Sequence, residues 1–342
     1  MSNQKKETAD SEIVANTYIT NKPICWKCKG TGFKPTKPKK PKQKCTVCTR
    51  DKISKKQKPQ LRPFKIKDWI IPGTKAKYDI NDPAIAPKEG EMLTSLCGHY
   101  CIYQLMNGHR MTTDDVCVAA IAIKHAPKKN HLDIGTGLGS VLNIVHWGLP
   151  HLNSFGVEAQ AIHVELCRKT IEFNGFEARI IHKDLRDLEN EKIDLPIMDC
   201  ITGTPPYFPA NTGSLPEDGG RGMCAFELRG GIETYCKVAS QYLDKNGCFI
   251  VANTSSDIER TKNSGEKVGF HLNERYDFCG IEGKPPLFSV FVFEWTEKDF
   301  VSQKINIRDS NGQFSKEYRQ MMDTVGKPPS TFEPGTVPKR KN

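Results

Sequence analysis

The sequence predicts an α/β fold: a doubly wound, mostly parallel seven-stranded sheet with an antiparallel edge hairpin, plus a small N-terminal module. Three observations predict it. Residues 131–140, HLDIGTGLGS, read as a strand end, a tight glycine turn and a helix start; Leu132 to Ile134 read as the end of a buried strand, and an apolar period begins at Leu138, Val141, Leu142 and Val145. Strand-like and helix-like stretches then alternate, and two strand-like runs close the series. Four of the 13 cysteines form two C-x-x-C pairs that stand outside this alternation.

Composition bounds the possibilities. A chain of 342 residues with 37% hydrophobic content fits one large domain and an accessory module. It contains no apolar run of 18 residues, so no membrane span is expected. The first twenty residues carry Lys5, Lys6, Glu7, Asp10 and Glu12, which argues against a secretory signal. An odd number of scattered cysteines fits a reducing compartment, so the expected location is cytoplasmic or nuclear. Residues 1–70 hold 19 Lys/Arg and 5 Asp/Glu, a net of +14. The whole chain is +10, which leaves −4 for the rest. Such a segment suits a polyanion, with salt-sensitive binding; a solvated tail is the plainer alternative.

In chain order, residues 1–22 are expected to be a disordered tail and 23–60 a zinc-binding basic module. Cys25, Cys28, Cys45 and Cys48 have the spacing of a four-thiolate zinc site, each pair turning two sulfurs toward one tetrahedral ion. Cys28-Lys29-Gly30-Thr31-Gly32 is similar to half of a C-x-x-C-x-G-x-G chaperone zinc repeat. The loop at 34–44 is rich in lysine and proline and reads as an extended phosphate-following segment. Residues 61–300 are the expected main domain and 301–342 an extension.

Within the main domain, Tyr100 to Met106 reads as a strand and Asn107-Gly108 as a hairpin turn. Thr113 is a suitable N-cap for a helix over Val116 to Ile123. Glu158 follows the glycine turn by about 20 residues, where an acid at a strand end grips ribose hydroxyls. Ser154 to Glu158, Ala178 to His182, Met198 to Thr202 and Gly247 to Asn253 read as strands, the last preceded by a helix over Glu233 to Leu243. Ala161, Val164, Cys167 and Ile171 mark a helix that ends at Asn174-Gly175. Phe270 to Phe278 and Leu287 to Trp295 form the closing pair of strands.

The pattern Asp133-x-Gly135-x-Gly137-x-Gly139 lacks the last position of a dinucleotide fingerprint, since residue 140 is Ser. It resembles motif I of the class I S-adenosylmethionine-dependent methyltransferases, whose fold is Rossmann-like. Residues 201–209, ITGTPPYFP, resemble the Asn/Asp-Pro-Pro-Tyr/Phe motif of methyltransferases that act on planar nitrogens. Thr204 stands at its first position. The physical logic is that acceptors placed on the N–H groups of a conjugated amine free its lone pair toward a methyl sulfonium. Thr204 and the neighbouring backbone carbonyl would supply them; Pro205 and Pro206 would fix the turn, and Tyr207 would stack on the base.

The stretch from Gln104 to Ala122, Tyr207 to Pro209, Cys224 to Arg229 and Ile305 to Arg319 are similar to the bacterial tRNA-valine adenosine N6-methyltransferases. That resemblance covers about residues 95–325. It implies that the Gly-Thr-Asp counterpart containing Thr113 closes the cofactor site and that Asp184 contacts adenine. The expected activity is S-adenosylmethionine-dependent N6 methylation of adenosine in structured RNA, tRNA foremost, with the basic zinc module holding the RNA. Arg221 and Arg229 are candidates for phosphate contacts or surface ion pairs. A protein glutamine methyltransferase and a non-catalytic RNA-binding subunit remain alternatives.

Overall fold

A computed structural model describes residues 60–62, 70–209 and 224–328. The four cysteines of the expected zinc site, the lysine loop, the tail 1–22, Arg221 and residues 329–342 lie outside them. No helix among the described residues is long and apolar enough to cross a membrane.

The main sheet has eight strands. In chain order the first four are β4 (Asn130–Ile134), β5 (Asn153–Glu158), β6 (Ala178–His182) and β7 (Met198–Gly203). They are followed by β8 (Leu243–Thr254), β9 (His271–Cys279), β10 (Pro286–Glu294) and β11 (Val301–Asn306). The spatial order is β11-β9-β10-β8-β7-β4-β5-β6. The five strands β4 to β8 run parallel, and β10 lies antiparallel between β8 and β9. This is the Rossmann-like, mostly parallel sheet that the sequence predicts, with its antiparallel hairpin. The eighth strand, β11, extends it by pairing parallel with β9. Four of the six residues of β11 in a row are exposed, so its burial pattern carries little periodic signal.

Alternation explains why helices cover both faces. Cys248, Ile250 and Ala252 of β8 enter one buried cluster, whereas Phe249 and Val251 enter the other. The first cluster is shared with α1 (Thr113–His125) and α2 (Ser140–Gly148), the second with α5 (Ile232–Tyr242). Strands buried on both sides read as continuous apolar runs. Between these helices in the chain lie α3 (Ala161–Asn174) and the short α4 (Leu185–Leu188). The helix α3 ends at Gly175 in the left-handed conformation, where its sequence signal places the end. Two more helices, α6 (Ile258–Glu266) and α7 (Lys316–Thr324), complete the set.

A separate three-stranded sheet contains β1 (Gln60–Arg62), β2 (Glu91–Cys97) and β3 (Tyr100–Leu105). Here the structure differs from the sequence reading. The hairpin closes at Gly98-His99, before β3, and Asn107-Gly108 instead leads toward α1. The N-cap of α1 is Thr112 and not Thr113, because Asp115 reaches back to the Thr112 N–H at 3.0 Å. The C-terminal segment returns to this hairpin: the Gly98 N–H donates to the Gly326 carbonyl at 2.7 Å. Both glycines crowd the Trp147 ring, and a Cβ at either would lie 2.4 Å from it.

Candidate functional site

The carboxyl ends of β4, β5, β6 and β7 surround a cavity of about 310 Å³. Crevices at this end of a parallel sheet are where open α/β folds take ligands. The glycine turn forms its floor. Gly135 has φ +67°, and a Cβ there would meet the Tyr235 hydroxyl at 2.1 Å. Tyr235, on α5, therefore sets how close the turn approaches that helix. Asp133 does not line the cavity. It is buried, and its carboxylate accepts from Thr136 and Thr202, both at 2.7 Å. Burial pushes its pKa up to about 6, against the pull of those two bonds. Thr202 in turn contacts His131 Nε2 at 2.9 Å, and burial pushes that imidazole down to about 3. Asp133 thus ties the turn to β7 from beneath. Gly139 is likewise outside the cavity and packs against Cys167.

Glu158 ends β5 and faces the turn. One oxygen accepts the Gly137 N–H at 2.9 Å and the other the Gln160 N–H at 2.7 Å. Burial raises its pKa, and those N–H bonds pull the other way. The Ala159 N–H is a third backbone partner, so of about four acceptor sites on a carboxylate one remains for a ligand's hydroxyl. His163 is buried behind it with Nδ1 3.9 Å from Glu158, and burial lowers that imidazole to about 4.

Asp184 lies at the next strand end, as N-cap of α4. Oδ1 accepts from the Arg186 N–H and from Arg186 Nε, both at 3.0 Å. Oδ2 accepts from Arg186 Nη2 at 2.9 Å and from Arg229 Nη1 at 2.8 Å. Burial alone would push Asp184 up, but these arginine bonds outweigh it and hold the carboxyl below its ordinary range.

The fourth side of the cavity is residues 204–208. Thr204 follows β7, and no hydrogen bond engages its hydroxyl among the described residues. Tyr207 donates to Asp114 Oδ2 at 2.6 Å, which ties the turn to the start of α1. Burial, then the Asp114 charge, drives the phenol well above its usual pKa. Asp115 beside it is also raised, first by burial and then by Asp114. Phe208 pairs with residues 225–227, its N–H donating to the Ala225 carbonyl at 3.0 Å and its carbonyl accepting from the Glu227 N–H at 2.8 Å. Glu227 is fixed by Arg260 of α6, which also holds Glu233 of α5. Phe208 itself is 55% exposed and packs its ring 5.7 Å from that of Phe226.

The structure thus brings Gly135, Gly137, Glu158, Asp184, Thr204, Pro205, Pro206 and Tyr207 to one cavity. Thr113 does not reach it, while Thr112, Asp114 and Asp115 do. Asp114 belongs to the Thr112-Thr113-Asp114 counterpart expected to close the cofactor site, whereas sequence reasoning did not identify Asp115, Gln160, His163 or Tyr235 as cavity residues. Of these only Asp115 carried a signal, as an acid in the first turn of a helix. No group of three or more His, Cys, Asp or Glu suited to a metal occurs among the described residues.

No family model matches the chain, and no curated protein matches it. Among solved structures it is similar to a predicted O-methyltransferase from Agrobacterium tumefaciens, at 13% identity and TM-score 0.48, covering 62% of this chain and 97% of that one. It is also similar to a putative class I S-adenosylmethionine-dependent methyltransferase from Listeria monocytogenes, at 14% identity and TM-score 0.40, covering 59% and 68%. A methyltransferase from Pyrococcus furiosus gives 18% identity and TM-score 0.40, covering 57% and 89%. Likenesses of this size do not carry a substrate from one protein to another.

Proposed function

We propose that this chain is an S-adenosylmethionine-dependent methyltransferase acting on an exocyclic nitrogen, with N6 of adenosine in structured RNA, tRNA foremost, as its substrate. One observation carries the reading. A Thr-Pro-Pro-Tyr turn at a strand end faces the same cavity as a glycine turn and a strand-end glutamate with an acceptor site to spare.

The residues fit the cofactor. Glu158 suits a ribose hydroxyl, Gly135 and Gly137 leave room for close approach, and the cavity is long enough to reach Asp184. When bound, S-adenosylmethionine supplies a methyl group on a sulfonium. The chain's task is then to hold and prepare the amine. The Thr204 hydroxyl and the Pro205 carbonyl accept its N–H groups, which favours a pyramidal nitrogen. The two prolines keep that carbonyl in place, and the Tyr207 bond to Asp114 locks the turn before substrate arrives. Asp114 adds negative charge on the side where the amine becomes cationic. Tyr207 stacks on the base, and Phe208 offers a second, exposed ring at the mouth.

The RNA preference rests on the +14 of residues 1–70 and on the resemblance of residues 305–319 to the tRNA enzymes. Zinc at Cys25, Cys28, Cys45 and Cys48 would fold the basic module. The test is incubation of the full chain with labelled cofactor and total RNA, DNA or protein, followed by nucleoside and amino-acid analysis. The expected product is N6-methyladenosine. Label on glutamine would favour the protein-methylating alternative, and cofactor binding without transfer would favour the non-catalytic one, with Thr204 as its cause.

A further inference from the structure

Asp184 has no acceptor site to spare. Its two oxygens have about four, and four donors occupy them: three from Arg186 and one from Arg229. The two arginines are held differently. Arg186 is two residues away, and its N–H, Nε and Nη2 all close on the same carboxylate, so its grip is local and cooperative. Arg229 comes from 45 residues further along the chain and makes a single bond, with its side chain 35% exposed. Its Nε is buried and has no hydrogen-bond partner among the described residues. Asp184 itself faces the cavity with only 12% of its side chain exposed.

Glu158 at the end of β5 and Asp184 just past the neighbouring strand β6 line one cavity, so a nucleoside with a ribose hydroxyl on Glu158 would bring its base within reach of this pair. Adenine would present an exocyclic amine there, which is a donor, to a carboxylate that is already saturated. Hypoxanthine would present a carbonyl, which is an acceptor, and the Arg229 guanidinium beside Asp184 carries donors that suit it.

We propose that Arg229 is a specificity-determining residue of the nucleoside site, one that occupies the acceptor face of Asp184 and must leave it before an adenine amine can bind there. The inference rests on the cavity's being the cofactor site. Arg229 thus lowers affinity for adenosyl ligands and favours a ligand with a carbonyl at that position. This is the opposite of what an arginine in a nucleotide site ordinarily does.

The experiment is calorimetric titration of the full chain with S-adenosylhomocysteine and with S-inosylhomocysteine, comparing parent, Arg229→Met and Arg229→Gln. Melting curves without ligand check that each variant is folded, and the Gln variant stands in if Met disturbs the packing. The expected result is adenosyl affinity about fivefold tighter in the variants, the modest size that a partly exposed ion pair allows. Inosyl affinity should be unchanged or weaker, so the ratio of the two rises. Binding by a variant when the parent shows none would support the proposal in its strongest form. Equal or weaker adenosyl binding in both folded variants would overturn it and leave the cofactor reading intact, because the parent still binds. Absence of binding in every protein would overturn both.

Discussion

Replacing Glu158 by Gln tests the cofactor site at the group that defines it. Each carboxylate oxygen accepts one backbone N–H, from Gly137 at 2.9 Å and from Gln160 at 2.7 Å. The Ala159 N–H is a third backbone partner, so one acceptor site remains for a ligand hydroxyl. In the variant one oxygen becomes an NH2 group, so one backbone N–H faces a donor and one hydroxyl loses its acceptor. A hydrogen bond to a charged group contributes about 1.5–3 kcal/mol, and a buried N–H left unsatisfied costs about 1–3 kcal/mol. The first term sets the binding loss, roughly 10- to 150-fold in Kd. The second sets a loss of stability of similar size, since Glu158 is only 6% exposed. The assay is titration with S-adenosylhomocysteine and with its 2′-deoxy analogue, beside a urea melt. The deoxy analogue should lose much less affinity than the full ligand on going from parent to variant. If Glu158→Gln binds the full ligand within threefold of the parent, the carboxylate does not hold a ribose and the reasoning fails.

Three further outcomes are expected. Thr204→Val keeps the shape of the side chain and removes one acceptor, so single-turnover methylation should fall about 10²- to 10³-fold while cofactor affinity changes little; an unchanged rate would remove Thr204 from the acceptor set. Burial raises Asp133 to about 6 and lowers His131, His146 and His163 to about 3, 4 and 4. The stability from Asp133 is complete below about 3.9 and lost as pH rises through 6, whereas that from the histidines is complete above about 6.5 and lost on acidification. Asp133→Asn removes the opposing contribution, so its melting temperature should drop more steeply than the parent's between pH 6 and pH 4; parallel calorimetric curves would contradict the assignment. Metal analysis of protein purified without chelator should give about one zinc per chain, abolished in a Cys25→Ser/Cys28→Ser variant.

Much of the fold was legible because both faces of the central sheet are buried. Strands such as Met198–Gly203 and the core of Leu243–Thr254 then stand out as apolar runs, and helices between them announce their ends through residues such as Gly175. Strand β11 was not legible because it is an exposed edge, and β2 lacked a turn signal of the expected kind beside it. The site shows the same division. Gly135, Glu158 and Thr204 sit at strand ends, where local pattern fixes place. Asp133 carries the right residue type, yet the threonines at 136 and 202 draw it under the turn. That depends on a contact 69 residues away, which spacing cannot report. Asp115 and Tyr235 enter the cavity only through packing of α1 and α5.

The return of the C-terminal segment to the β2–β3 hairpin has a consequence for synthesis. The ribosome makes Trp147 early, but Gly326, which closes over it, is roughly 180 residues later, about 10–35 s at usual elongation rates. During that interval the indole has one of its covering segments missing. A chain cut short before residue 326 leaves that part of the indole uncovered for good, even though every residue around the cavity is already present.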